Sequence, residues 1–500
     1  MTFTSLPFML FVASVLLLFN IMPANYRWAV LLAGSYLFYA FCKVPYLLLA
    51  LLAVTFVSYL SGHLVHGSKD HRLKLFWMWA GVVANISLLC WLKYLPFITD
   101  NLNLAFALLP VGFRFPAAPL LVALGVSYYV FQGISYIVDS YLDIIEPERH
   151  LGYFSLSLSF FPKLLQGPIE RSGSLLPQLH ALAPASPALF RSGVNLFLWG
   201  MFKKVVIADR LASFVDPVYG NVHNYFGLSL VMATYLFALQ LYFDFSGYTD
   251  MALGIARCFN IRLTQNFNAP YLATSTADFW RRWHISFSSW ILAYIFKPLQ
   301  FSLRDWPRWG APLALMVTFL ISGIWHGASW CFVAWGGIHG VYLASAVLFK
   351  KQKLSLSKKL GLQKTRVLKL WQQFATFHLV CFSWIFFRAA SIEDALYIAF
   401  SSVMEMPRSI ALLRGKDVSF LRHLTLGRSE YEFMFTLLVV ASAALVGYLD
   451  LRGKGANPET DDLVLFSKVP YWGSAIAYGT ILYMIVICGV SAKGFIYQQF

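Results

Sequence analysis

The stretch Ala311-Pro-Leu-Ala-Leu-Met-Val-Thr-Phe-Leu-Ile-Ser-Gly-Ile324 leads into Trp325-His326-Gly327-Ala-Ser-Trp330, and an apolar run then continues to Leu348. Neither flank carries an Asp, Glu, Lys or Arg. A bilayer core takes about 20 mostly apolar residues per helix. The pattern therefore reads as two membrane helices with a histidine between them. Comparable runs lie at residues 6–22, 28–42, 46–65, 75–95, 120–142, 193–208, 228–245, 371–387, 433–449 and 472–490. Counted by length, they give about 11–13 transmembrane helices.

Composition agrees. The 500 residues are 59% hydrophobic and 12% charged, against about 25% charged in soluble domains. Such a chain cannot coat itself with polar surface, so a large soluble enzyme is excluded. The expectation is an all-α polytopic membrane protein. Its net charge of +16, from 39 Lys+Arg and 23 Asp+Glu, sits between the apolar runs. That is the positive-inside bias of cytoplasmic loops, not a nucleic-acid surface. The cysteines Cys42, Cys90, Cys258, Cys331, Cys381 and Cys488 form no CxxC, so neither a metal centre nor a disulfide framework is expected. They read as free, buried thiols. The first run has no Lys or Arg before it and reads as a membrane helix rather than a cleaved leader.

Charge also threads the topology. From Lys350 to Lys369 there are eight basic residues and no acidic ones, which places this segment in the cytoplasm. The same residues suit anionic lipid headgroups. The loop at 388–432 then faces outward. Near the other end, Lys69, Arg72 and Lys74, and the segment 146–150, fall inside, and the N-terminus falls outside. Residues 151–165 are too short to span and end in Gln166-Gly-Pro-Ile-Glu-Arg171. That reads as a re-entrant or interfacial segment, tolerated only where protein or water covers it. We expect one integral membrane domain over residues 1–500: N-terminal helices 1–118, a core 119–390, and a C-terminal exterior loop with helices 391–500. No internal repeat is visible.

Polar residues in apolar surroundings are costly and mark cavities or partners. His326 has Gly323 and Gly327 beside it, where another backbone or a ligand can approach closely. A buried neutral imidazole suits a general base, though it equally suits a structural hydrogen bond. His378 lies in Phe374-Ala-Thr-Phe-His378-Leu-Val-Cys381, about seven residues into its run, and can serve a two-histidine site or helix packing. His339 and the acids Asp244 and Asp250 are further polar residues for a tunnel or for structural pairing, the acids with nearby basic residues. In Asp278-Phe-Trp-Arg281-Arg282-Trp-His284-Ile-Ser286, Asp278 and Arg282 are spaced to pair on a helix. The two arginines offer planar donors for phosphate, or anchor an interfacial helix.

Together these segments resemble the membrane-bound O-acyltransferase family, in its bacterial branch for alginate O-acetylation and teichoic-acid D-alanylation. The resemblance rests on Gln166–Arg171, Tyr242-Phe-Asp-Phe-Ser-Gly-Tyr-Thr-Asp250, Asp278–Ser286, Trp325–Trp330 with Trp335-Gly-Gly-Ile-His-Gly340, and Phe377–Trp384, in the family's order. It implies helices around a tunnel. It makes His326 and His378 the catalytic candidates. Arg281, Arg282, His284, Asp278 and Trp325 become candidates for holding the donor. It implies acetyl-CoA as donor substrate with no permanently bound cofactor. It further implies a secreted polysaccharide as eventual acceptor, a periplasmic acetyltransferase or esterase-like partner, and a bacterial inner-membrane location. Two readings stay open beside it: a proton-coupled transporter of an acyl donor or polymer unit, and an acyltransferase with a lipid acceptor or carrier-protein donor.

Overall fold

The computed structural model describes residues 1–42, 44–109, 113–119, 121–415, 418–453, 471–489 and 494. Leu120 and Val490, which bound two of the expected spans, and residues 110–112 lie outside the described residues. Among the described residues the fold is helical, with one isolated bridge between Phe267 and Trp283. Five helices are long and apolar enough to cross a membrane: Pro45–Gly67, His71–Ala107, Leu228–Cys258, Trp330–Leu348 and Glu430–Leu449. Leu6–Ile21, Gly310–His326 and Ala475–Ile487 are shorter apolar helices. Their outward faces carry Leu10, Phe56 and Trp79, each more than half exposed. A soluble protein does not present such faces to water, so the protein is a multi-pass membrane protein.

The chain divides into two compact units. The first comprises residues 1–197, 251–265 and 500. It contains helices α1 (Leu6–Ile21), α2 (Arg27–Ala40), α3 (Pro45–Gly67), α4 (His71–Leu89), α5 (Leu95–Ala107), α6 (Val126–Tyr141), α7 (Leu151–Ser159), α8 (Phe161–Leu164) and α9 (Ser172–His180). Prolines in the first turns of α1, α3 and α5 sit where a missing N–H costs nothing. Asp70 caps α4 by accepting from the Leu73 N–H at 3.2 Å. Small residues bring the helices together. Gly133 on α6 packs on Ser58 of α3, which takes a bond from Asn85 of α4 at 3.1 Å. This is membrane-helix packing, with small residues at the interface and polar ones as glue.

The short apolar stretch at 151–165 folds as two helices, α7 and α8, with Phe160 between them. Polar side chains tie it down on its buried side. Lys163 Nζ donates to Gln132 Oε1. Glu170 accepts from the Thr264 N–H at 2.5 Å and the Thr264 hydroxyl at 3.0 Å. A segment that reaches into the apolar interior thus has its polar groups covered by protein.

The second unit comprises residues 198–250 and 266–499. The helices that follow α9 in the chain are α10 (Pro187–Phe202), α11 (Asp209–Gly220) and α12 (Leu228–Cys258), and α10 and α12 belong partly to each unit. Next come α13 (Thr276–Trp280), α14 (Ile285–Ile291), α15 (Lys297–Ser302), α16 (Gly310–His326), α17 (Trp330–Leu348) and α18 (Lys350–Lys359). The last are α19 (Arg366–Arg388), α20 (Ile392–Met404), α21 (Met406–Arg414), α22 (Val418–Leu424), α23 (Glu430–Gly453) and α24 (Tyr471–Ile487). The apolar pattern ends α12 at residue 245, yet the helix runs on to Cys258. Asp244 and Asp250 interrupt the hydropathy but not the backbone. Likewise α19 begins at Arg366 rather than near residue 371, because the Thr365 hydroxyl caps it through the Leu368 N–H at 3.2 Å. All of α18 is free of buried residues, as a solvated lysine-rich segment should be.

Helices α16 and α17 form a tight hairpin. A Cβ on Gly323 would meet the Phe332 carbonyl oxygen at 2.3 Å, and one on Gly336 would meet that of Phe319 at 2.3 Å. Only glycine allows backbones this close. That approach fixes the end of α16, and with it His326.

Candidate active site

The segment read from sequence as one interfacial helix is an elbow between α13 and α14. Ser275 caps α13 by accepting from the Asp278 N–H at 3.1 Å, and Asp278 Oδ2 accepts from the Thr274 N–H at 3.1 Å. Together the two bonds satisfy donors at the start of α13. The expected pair forms: Arg282 Nε donates to Asp278 Oδ1 at 3.1 Å, with Arg281 at 3.6 Å. Burial pushes the Asp278 carboxyl up, but the Thr274 N–H and the two guanidiniums outweigh it and hold it below its usual value. Arg282 is partly committed, also donating to the Asn268 carbonyl at 3.4 Å. The Arg281 side chain is 73% exposed.

His284 makes the turn. Its φ of 44° and ψ of 54° lie in the left-handed region, which costs energy for any residue with a Cβ. Asn266 holds it there: its carbonyl accepts from the Ile285 N–H at 3.0 Å, and its side-chain oxygen accepts from Ser286 N–H at 3.1 Å and hydroxyl at 2.7 Å. Nδ1 of His284 accepts from the Phe287 N–H at 3.3 Å, capping α14. Burial drives this imidazole down to about 3, so the ring is neutral and its proton sits on Nε2.

His326 is the last residue of α16 and is 5% exposed. Aromatic rings surround it: Trp325 at 4.7 Å, Trp335 at 4.8 Å, Phe387 at 5.3 Å and Phe287 at 5.7 Å between centroids. Phe287 stacks on Trp325 at 4.1 Å. His284 packs on the same two rings, at 5.1 Å from Phe287 and 6.1 Å from Trp325. The structure thus brings His326, His284 and Trp325 together through the elbow. Phe287, Trp335 and Phe387 complete the wall, and sequence reading did not single them out; aromatics are too common here for any one to stand out.

Of the other two histidines, His339 packs on Trp335 in the wall of the pocket, at 5.0 Å between centroids, and His378 lies farther along α19. His339 on α17 accepts from Trp280 Nε1 at 3.2 Å through Nδ1, and its Nε2 meets the Ser383 hydroxyl at 2.9 Å. Ser383 spends its own proton on the Val380 carbonyl at 2.7 Å. Nε2 of His339 must therefore be the donor, so both ring nitrogens are engaged in joining α13, α17 and α19. His339→Leu is expected to lower stability by about 1–3 kcal/mol, because it leaves a buried indole N–H unpaired; unfolding in detergent measures this. His378 is half-buried on α19, with Nδ1 donating to the Phe374 carbonyl at 2.7 Å and its ring 5.6 Å from Tyr235. It lies nine residues before the Phe387 that touches His326, roughly 13 Å of helix rise.

Asp244 and Asp250 pair with lysines rather than with Arg281 or Arg282. Lys204 Nζ lies 2.5 Å from Asp244 and 2.8 Å from Asp209, and Lys203 lies 2.6 Å from Asp250. Both lysines sit on a π-helical segment, Lys203–Ala208, between α10 and α11. The signal was present in the sequence: two lysines within the apolar run 193–208. Among the described residues no group of three His, Cys, Asp or Glu could hold a metal.

A model of the membrane-bound O-acyltransferase family matches residues 150–392, which include every histidine of this site. The chain is 34% identical over 401 residues to the peptidoglycan O-acetyltransferase of Helicobacter pylori, covering 74% of this chain and 72% of the relative. The chain belongs to the membrane-bound O-acyltransferase family. It is thus an acyltransferase. The probable alginate O-acetylase of Pseudomonas aeruginosa is 33% identical over 400 residues, covering 79% and 73% of the two chains. The teichoic acid D-alanyltransferase of Bacillus subtilis is 26% identical over 348 residues, covering 68% and 84%. The membrane-bound O-acyltransferase fold here therefore places a buried histidine in an aromatic pocket at a helix end, beside a strained elbow that carries two arginines.

Proposed function

We propose that this protein moves an acetyl group from cytoplasmic acetyl-CoA toward O-acetylation of a secreted polysaccharide, with His326 as general base. The observation that carries this reading is the enclosure of His326 by aromatic rings at the end of α16, in a chain whose O-acetyltransferase relatives are about one third identical. A hydroxyl of the acceptor loses its proton to His326 as its oxygen attacks the thioester carbonyl. The C–O bond forms, the C–S bond breaks, and the imidazolium returns the proton to the departing sulfur. General-base help of this kind is worth about 10²–10⁴ in rate. The dry aromatic wall keeps water from the thioester.

The remaining residues have roles around that step. Arg281 and Arg282 hold phosphates of the donor at the mouth, while Asp278 aligns them. Trp325 forms the wall beside the thioester, and His284 holds Trp325 and Phe287 in place. His378, a helix stretch away from His326, orients the acceptor rather than sharing its proton. The lysine-rich α18 faces the cytoplasm, and the segment 388–432 with its helices α20, α21 and α22 faces the exterior of a bacterial inner membrane, where a periplasmic acetyltransferase or esterase-like protein receives the acetyl group. The lipid bilayer is the solvent of the whole chain.

Labelled acetyl-CoA supplied to purified protein with an oligosaccharide acceptor tests the reaction: acceptor-dependent appearance of labelled ester and free CoA thiol is expected. No label in the ester while CoA stays acylated would sink it. For the donor site, Arg281→Gln is expected to raise KM for acetyl-CoA about tenfold, as loss of one charge-assisted phosphate contact would. Acetyl-pantetheine, which lacks all of the phosphates, should show no such difference between variant and parent.

A further inference from the structure

A groove of about 670 Å³, walled by three helices, is lined by Tyr235, whose ring lies 5.6 Å from that of His378. Val231 and Tyr235 come from α12, Ser402 and Val403 from α20, and Ile410 and Arg414 from α21. Its volume lies within the roughly 300–1,000 Å³ of small-molecule sites. Among the described residues the wall is apolar apart from three groups. Arg414 stands at the end of α21, and makes no ion pair among the described residues. The Ser402 hydroxyl is buried, with no hydrogen-bond partner among the described residues. Tyr235 turns its ring toward His378. Among the described residues no acidic residue lines the groove.

The surroundings identify the occupant. Leu396, Phe400, Val403 and Met404 on α20 are 42%, 63%, 65% and 72% exposed. They recur at helical spacing and form an apolar stripe continuous with the groove through Val403. Such a face needs lipid or a partner against it. The groove adds what a lipid requires beyond an apolar wall: one cation for a phosphate and one buried hydroxyl that can donate to an ester carbonyl. A phospholipid engages the apolar wall and both groups at once.

We propose that this groove is a binding site for one anionic phospholipid of the bilayer. One acyl chain lies along Val231, Val403 and Ile410. The phosphate meets Arg414, and an ester carbonyl accepts from the Ser402 hydroxyl. The bound lipid backs Tyr235, whose ring supports His378, so lipid composition bears on the second histidine without touching His326.

The protein is reconstituted into nanodiscs of equal phosphatidylglycerol and phosphatidylcholine, released gently, and weighed intact by native mass spectrometry. One retained phosphatidylglycerol per chain is expected. Arg414→Gln should keep a lipid but reduce the preference for phosphatidylglycerol about fivefold, the effect of one basic side chain at an anionic headgroup. Ala411→Trp, which places an indole in the groove from its exposed edge, should abolish retention. Leu421→Trp, at an exposed residue outside the groove, controls for folding and should retain lipid like the parent. Unchanged retention in Ala411→Trp, or an unchanged preference in Arg414→Gln, overturns the proposal in favour of annular lipid. A copurifying protein in place of lipid also overturns it.

Discussion

His326→Ala should lower acetyl transfer by about 10³-fold or more while leaving the affinity for acetyl-CoA within a few-fold of the parent. The general-base contribution alone is about 10²–10⁴. The substitution also opens the aromatic pocket, since the imidazole is packed by Trp325, Trp335, Phe287 and Phe387. Single-turnover transfer of labelled acetyl separates chemistry from binding. His326→Gln fills the space without the basicity and should be nearly as slow. If His326→Gln retains a tenth or more of the parental rate, His326 shapes the pocket and is not the base.

The neighbouring histidines should rank below it in distinct ways. His284→Ala removes the cap of α14 and the group that packs Phe287 and Trp325, so both rate and stability should fall. His378→Ala should weaken use of the acceptor with little change in donor binding, because its surroundings are Tyr235, Phe374 and Phe377 rather than the rings around His326.

The sequence carried the helices well because apolar runs of bilayer length have few alternative fates. It also carried His326, one of whose neighbouring glycines, Gly323, is a close-contact position of the α16–α17 hairpin. It did not carry the elbow. Residues 275–286 contain a helical pair, Asp278 and Arg282, and nothing in the pattern says that His284 leaves the helix. That break depends on Asn266, which lies 18 residues earlier. Nor did it distinguish His339 from His378. Both are histidines in apolar runs. Only the distant partners Trp280 and Ser383 saturate one of them, and such contacts have no local signature. The end of α12 is not legible in the sequence, because hydropathy cannot tell an exposed acid from one matched to a buried lysine.

That matching predicts the largest stability effect. Lys204, Asp209 and Asp244 are each about 2% exposed, and Lys204 lies within 2.8 Å of both carboxylates. The Gly494 carbonyl adds a further acceptor at 3.3 Å. Removing one member of a buried ionic cluster leaves the others in a low-dielectric interior, at a cost of about 3–5 kcal/mol. Lys204→Met should therefore unfold at a markedly lower temperature in detergent, and expression should drop, with His326 unaltered in those molecules that do fold. Repulsion follows as well, since Asp209 and Asp244 both face the place the ammonium occupied. Replacing all three together, as Lys204→Met with Asp209→Leu and Asp244→Leu, should recover most of the loss, because well-packed apolar residues of similar size often equal or exceed a buried ion cluster in stability. A single Lys204→Met variant as stable as the parent would show that the cluster does not hold α11 to α12. A triple variant that is stable but inactive would instead assign the cluster a part in moving protons or charge. A triple variant both stable and active would leave it a purely structural joint.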